Sequence, residues 1–263
     1  MKQYFFILLS LILLFSACSK DDVDYNSNVK AKVVIEYDNV VGNQNLQLGS
    51  TDYTNATGET FKVTLFKYFV SNFKLTKADG SEYVVPQDSC YFLTDESIAS
   101  SLKPVIQVPE GEYTQLSFVL GVDSLRNTMD VSHRTGNLDV TGTASGMYWS
   151  WNSGYIFYKL EGTSPASAAT GNAFRYHIGL FGGMNSATLN NIKVINIDLT
   201  SKGKLKAKYG RNLSIKLKAD ALKLFNGSSN ISIAANTVVM ASPFSATVAN
   251  NYATMFTHDA TTN

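Results

Sequence analysis

The stretch 146-GMYWSWNSGYIFYKLEG-162 gathers the side chains of this sequence best suited to redox or ligand chemistry. It holds both tryptophans of the chain, Trp149 and Trp151, two residues apart, with Tyr148, Tyr155, Phe157 and Tyr158 around them. On an extended strand Met147, Trp149 and Trp151 share one face, and Tyr148 and Ser150 the other. A thioether and an indole beside an imidazole would make a soft site, and sulfur with imidazole suits Cu(I). The same residues have a plainer use. An indole buries on the order of 200 Å² when it fills a core, provided its N–H finds a partner. Gly154 should break the strand or admit a bulge.

Imidazoles are scarce: His133, His177 and His258. A three-histidine metal site therefore needs all three to converge, and no HxxxH or CxxC spacing is present. His177 follows Tyr176 on an expected strand, where a histidine is usually a hydrogen-bonded core residue. His133, in 132-SHRTGN-137, falls in a loop and should be exposed. There is no nucleophile elbow, no phosphate-cradling glycine loop and no dinucleotide fingerprint. Asp79, Asp88, Asp123 and Asp139 stand near turns and read as solvated turn residues. Nothing here supports a hydrolase or a transferase, and the chain is not expected to be an enzyme.

The elements that must position these groups begin after a leader. Lys2 precedes an apolar run from Phe5 to Phe15, the length of a signal-peptide core and too short to span a bilayer. Ser16 and Ala17 stand directly before Cys18, which resembles the lipobox of bacterial lipoproteins, with Phe15 in place of the usual leucine. That reading makes residues 1–17 a leader, Cys18 the lipidated residue and 18–28 a tether. The polar, acidic run 19-SKDDVDYNSN-28 is similar to the export tag of Bacteroidetes-type surface lipoproteins. The expected location is the bacterial outer membrane, lipid-anchored, on the periplasmic or the outer side. Losing Lys2 takes the net charge from +1 to +1 − 1 = 0. A neutral chain shows no footprint for nucleic acid and no polybasic patch for anionic membranes. Cys90 is then the only other thiol, so no internal disulfide forms and Cys90 reads as a small buried hydrophobe.

Residues 29–263 read as one domain. Strand signals recur at Val29 to Tyr37, Phe61 to Leu75, Tyr83 to Val85, Cys90 to Leu93, Glu112 to Leu120, Met147 to Leu160, Phe174 to Leu180, Ile192 to Leu199 and Leu213 to Leu217. Connections are short and turn-like, with Asp79-Gly80 as one example. This pattern predicts an all-β, antiparallel β-sandwich of jelly-roll or Greek-key type. Ala246, Ala249, Tyr252, Ala253 and Phe256 at helical spacing predict a short C-terminal helix, and Ala219 to Phe225 one or two further turns.

Several blocks carry a resemblance in one order along nearly the whole mature chain. They are 64-TLFKYFVSNFKL-75 with 79-DG-80, 108-VPEGEYTQLSFVLGVDSLRN-127, 135-TGNLDV-140, 146-GMYWSWNSGYIFYKLEG-162, 174-FRYHIG-179 and 248-VANNYATMF-256. Together they resemble the MbnP-like family of periplasmic or surface proteins, related to copper-binding partners of diheme peroxidase-like enzymes. The resemblance implies a copper ion held by histidine together with a tryptophan that a heme enzyme has oxidised to kynurenine. The positions that match are His177 as a metal ligand and Trp149 or Trp151 as the modified indole, with Met147 added from strand geometry. Two departures stand out. Tyr37-Asp38-Asn39 ends the first strand where a histidine is expected, and the tail 257-THDATTN-263 carries only His258. The alternative expectation is a β-sandwich lipoprotein without metal, in which the aromatic cluster is core or a platform for a glycan or protein ligand.

Overall fold

A computed structural model describes residues 23–263. The leader and Cys18 lie outside the described residues. The main strands are β1 (Lys30–Val41), β2 (Thr60–Lys77), β3 (Tyr91–Asp95), β4 (Val105–Pro109), β5 (Gly111–Leu120), β6 (Tyr158–Thr163), β7 (Ala173–Ile178), β8 (Lys193–Asp198), β9 (Leu205–Ala207), β10 (Leu213–Asp220) and β11 (Phe256–Thr262). Two α-helices accompany them, α1 (Ser124–Thr128) and α2 (Ser245–Tyr252).

β1 shows why the strands form where they do. Ala31, Val33, Ile35 and Tyr37 are buried and Lys30 and Lys32 are exposed, the period of two that one covered face imposes. β1 lies between β10 and β4, with β11 outside β10, and this makes the smaller sheet. The larger sheet is organised around the long strand β2, which pairs with β6 through Tyr68 and with β5 from Val70 onward. β7 continues beyond β6, and β8 beyond β5. The chain is thus an all-β sandwich, and most pairings are antiparallel. Two are parallel, β1 with β10 and β7 with Val238–Val239.

The two sheets meet over an aromatic core. Tyr37 of β1 packs edge-on against Tyr68 and Phe118 of the larger sheet, with ring centroids 5.8 and 6.3 Å away. Phe256 of β11 closes on Phe118 at 5.1 Å. Such edge-to-face pairs contribute about 0.5–1.5 kcal/mol each beyond the area they bury. Cys90 is buried, as its sequence context suggested, and burial pushes its thiol pKa up.

Three elements differ from the sequence reading. The helical spacing after Pro243 gives α2 only over Ser245–Tyr252, and β11 follows it as a further strand. The turns near Ala219 are a single 3-10 turn, Ala221–Leu224. The run Met147 to Leu160 is not one strand. Tyr148–Trp149 and Gly154–Tyr155 form a small separate hairpin, and β6 begins only at Tyr158.

Candidate functional site

The hairpin exists because of a conflict that only glycine resolves. Gly154 has φ of 65°, and a Cβ there would lie 2.2 Å from Oδ1 of Asn127. Asn127 is fully buried at the end of α1, accepts from Tyr155 N–H at 3.0 Å and donates to the Val122 carbonyl at 2.7 Å. The chain therefore turns sharply at the point where its backbone meets this amide. The turn lifts Trp151 out of the strand, so Met147, Trp149 and Trp151 do not share one strand face. Met147 is fully buried in the core, Trp149 is half-buried, and Trp151 is 51% exposed. The two indoles stack instead, with centroids 5.4 Å apart and planes 28° from parallel. Asn152 fixes the tip by accepting from the backbone N–H groups of Met184 and Asn185 at 2.9 and 2.6 Å.

His177 sits on β7 in the alternation that faces Phe174, Tyr176 and Ile178 inward. Its ring lies on the other, outer side of the larger sheet. Its direct cross-strand neighbour is Lys159, and its diagonal neighbour is Glu161, whose Oε1 lies 2.7 Å from Nε2. Lys159 Nζ stands 3.6 Å from the same carboxylate and donates to the Gly146 carbonyl at 3.0 Å. Burial, helped by the charges of Lys159 and Arg175, outweighs Glu161 and holds the imidazole pKa below its usual value. The neutral form, with a lone pair available, is favoured.

Trp149 reaches the same region. Its six-membered ring lies over Gly179, two residues along the chain from His177. A Cβ at Gly179 would stand 2.9 Å from Cζ3 of the indole and 2.6 Å from the Tyr155 carbonyl. Glycine is required there by close approach, not by a turn. Lys159 binding Gly146 and Trp149 seated on Gly179 hold the hairpin down over the outer face that carries His177. Arg134, 4.5 Å from the Tyr148 ring centroid, covers the neighbouring aromatic.

The remaining histidines are elsewhere. His133 is exposed, as expected, and lines a cleft of about 420 Å³ with Asp88, Tyr91 and Arg126. His258 is on β11, its Nε2 2.9 Å from Thr261 Oγ1. Among the described residues no group of three or more His, Cys, Asp and Glu side chains is arranged to hold a metal ion. Asn39, at the end of β1, is buried. It accepts from Tyr68 Oη at 2.9 Å and donates to Glu96 at 2.8 Å. Of the turn aspartates, Asp79 and Asp139 accept from nearby hydroxyls, Asp88 pairs with Arg126, and Asp123 caps α1 and accepts from the Tyr91 hydroxyl.

The arrangement can be placed among known proteins. The MbnP family model matches residues 30–242. The chain belongs to the MbnP family. Its fold is similar to that of MbnP from Methylosinus trichosporium, with a TM-score of 0.52 at 17% identity, over 82% of each chain. No curated protein sequence matches significantly. In this MbnP-family chain the W-x-W and Y-H-I-G blocks meet where Trp149 is seated on Gly179. Sequence reasoning missed Glu161. The alternation in 158-YKLEGT-163 was the available signal, since it puts Lys159 and Glu161 on the face opposite the core. Asn127, which shapes the hairpin, left no local signal, because its partners are distant in sequence.

Proposed function

We propose that this protein is a lipid-anchored cell-envelope protein that carries copper on the outer face of the larger sheet, with His177 and an oxidised Trp149 as ligands. The observation that carries this reading is the seating of the Trp149 ring on Gly179, beside the strand position of a neutral imidazole. As translated, the donor set is short. An indole N–H is a donor only and offers no lone pair to a metal, so His177 and Glu161 stand alone. Oxidative opening of the indole to kynurenine, with peroxide as the heme enzyme's oxidant and the indole C2 leaving as formate, would add a carbonyl and an amine, and with these the set fits copper. Glu161 orients the ring through Nε2, as carboxylates behind metal-binding histidines do.

The exposure of Trp151 and the stacking beneath it give a heme enzyme of diheme-peroxidase type an indole within reach at the surface. The protein is then a substrate and carrier in this scheme, and not a catalyst. The test is intact mass and metal analysis of natively expressed protein. The expected result is acyl groups on the Cys18 fragment, a Trp149 peptide that has gained one oxygen and lost one carbon, and copper that His177→Ala reduces. Unmodified, metal-free protein from the native cell would count against the reading.

A second reading is favoured by the half-open indole pair itself. Two stacked rings with one face in solvent suit a sugar or an apolar partner group. Quenching of tryptophan fluorescence by one equivalent of copper argues for the first reading, and its absence with glycan binding for the second.

A further inference from the structure

The net charge of zero conceals a local asymmetry. Lys202, Lys204, Lys206, Lys208 and Arg211 fall within ten residues that contain no Asp or Glu. They lie on β9 and the turns on either side of it, against the start of β5. The same end of the sandwich receives the N-terminal segment. Glu110, buried just before β5, accepts from Asn26 N–H at 2.9 Å, Tyr209 N–H at 2.9 Å and Lys208 Nζ at 2.7 Å. Lys208 also donates to the Asp24 carbonyl at 2.6 Å. The domain thus grips the chain firmly at residues 24–26. Lys208 and Lys204 are paired with Glu110 and Glu112, whereas Lys202, Lys206 and Arg211 form no ion pair among the described residues. Five cations against Glu110, Glu112 and Asp24 leave an excess of two, which Lys20, Asp21 and Asp22 of the tether reduce to one. Tyr209, at the tip of the turn, is 71% exposed, the most exposed large apolar or aromatic side chain among the described residues.

We infer that this end, with Tyr209 at its tip, rests on an anionic phospholipid bilayer, so that the Trp149–Trp151 hairpin faces away from it. The inference rests on the lipid anchor at Cys18 proposed above. From Cys18 to Asp24 is six residues, which extend to at most about 20 Å. The gripped end therefore stays close to the headgroups. Exposed tyrosine belongs at the water–lipid boundary, and unpaired Lys and Arg are drawn to anionic headgroups within a Debye length. The far end follows from strand geometry. β5 leaves Glu110 at its start. Beyond its other end, Gly121 donates to the Phe69 carbonyl and packs on Phe157, next to the hairpin. Ten residues of strand separate the two by roughly 30 Å. The indoles are thus presented to a partner arriving from solution.

The chain has only two tryptophans, both in the hairpin, so fluorescence reports the orientation directly. Lipidated full-length protein is placed in phosphatidylcholine–phosphatidylglycerol vesicles whose acyl chains carry bromine as a short-range quencher. The native emission should be unquenched. Tyr209→Trp should add a blue-shifted component that bromine quenches. Lys206→Gln with Arg211→Gln in that variant, or vesicles of phosphatidylcholine alone, should remove most of the quenching. Quenching of the native indoles, or none of the introduced one on protein whose mass shows acyl groups, overturns the inference. Protein whose mass shows no acyl groups fails the anchor reading itself, and the orientation falls with it.

Discussion

Asn39 and His177 make an instructive pair. Each is a buried polar side chain on a strand, and each faces a glutamate. At Asn39 the capacity is spent. Its amide bridges the two sheets, taking the Tyr68 hydroxyl on one side and holding Glu96 on the other, while Thr94 Oγ1 donates to the Tyr68 carbonyl at 2.8 Å. Burial raises the Tyr68 hydroxyl far beyond titration and also raises the Glu96 carboxyl. His177 instead points away from the core, has one nitrogen on Glu161, and stands two residues from Gly179, on which the half-buried Trp149 ring is seated. The first arrangement holds the sandwich together where the sequence departs from the family's expected histidine. Burial of a polar group does not by itself distinguish structure from function.

The largest test of this contrast is Asn39→Ala. It orphans the fully buried Tyr68 hydroxyl and withdraws the donor from the half-buried Glu96. The expected loss is about 2–4 kcal/mol in chemical denaturation, with Trp149 and Trp151 fluorescence of the folded state unchanged. A loss below 1 kcal/mol, on the order of an exposed substitution, would show that the bridge is not structural. Next comes Gly179→Ala. The new methyl meets both the Tyr155 carbonyl and the Trp149 ring, and the ring is the more movable of the two. Overpacking of this kind costs about 1–3 kcal/mol. It should also shift the tryptophan emission to longer wavelength and, on the proposed reading, lower copper retention as strongly as His177→Ala does. Unchanged emission would mean that Trp149 is not seated where the contrast requires.

These two residues also mark how far the sequence could be read. The sandwich was legible because alternation is a local signal, and β1, β2, β5 and β7 begin and end within a few residues of the expected positions. The hairpin was not legible as a hairpin. A break was expected at Gly154 in YWSWNSGYIFY, but the hairpin's shape is set by Asn127, more than twenty residues away. β11 was hidden because 256-FTHDATT-262 is polar on its outward face and sits on the edge of the smaller sheet. β4 and β9 were too short to stand out. At the site, His177 and the tryptophans were legible through their blocks, but Glu161 and Gly179 act only through cross-strand register, which no single strand reveals. The basic end was lost for another reason. A net charge sums over the chain, so 202–211 vanished against acidic residues elsewhere.

Acid provides the third test, and it addresses the imidazole. His177 is held below the usual imidazole value, chiefly by burial. The unfolded chain therefore binds more protons than the folded one as pH falls through about 6.5, and stability must fall with it. The group contributes its full share above that value. His258, lowered mainly by burial as well, acts in the same direction. His177→Gln should therefore flatten the fall in melting temperature between about pH 7 and 5. An unaltered slope in His177→Gln would mean that the ring is protonated in the fold, paired with Glu161 as an ion, and poorly disposed to take a metal.

The smallest expected effect is at Trp151. Its ring is half in solvent and touches the fold chiefly through the Trp149 stack, so Trp151→Phe should change stability by no more than about 0.5 kcal/mol. The same truncation at Trp149 removes an indole lying on Gly179 and should cost several times more. If a heme partner withdraws electrons through the outer ring, Trp151→Phe slows modification at Trp149 without abolishing the copper site in protein already converted. If Trp151 is only a lid, modification proceeds faster once the smaller ring exposes Trp149. The direction of that one rate change, read by mass on the Trp149 peptide, decides whether the stacked pair is a relay or a cover.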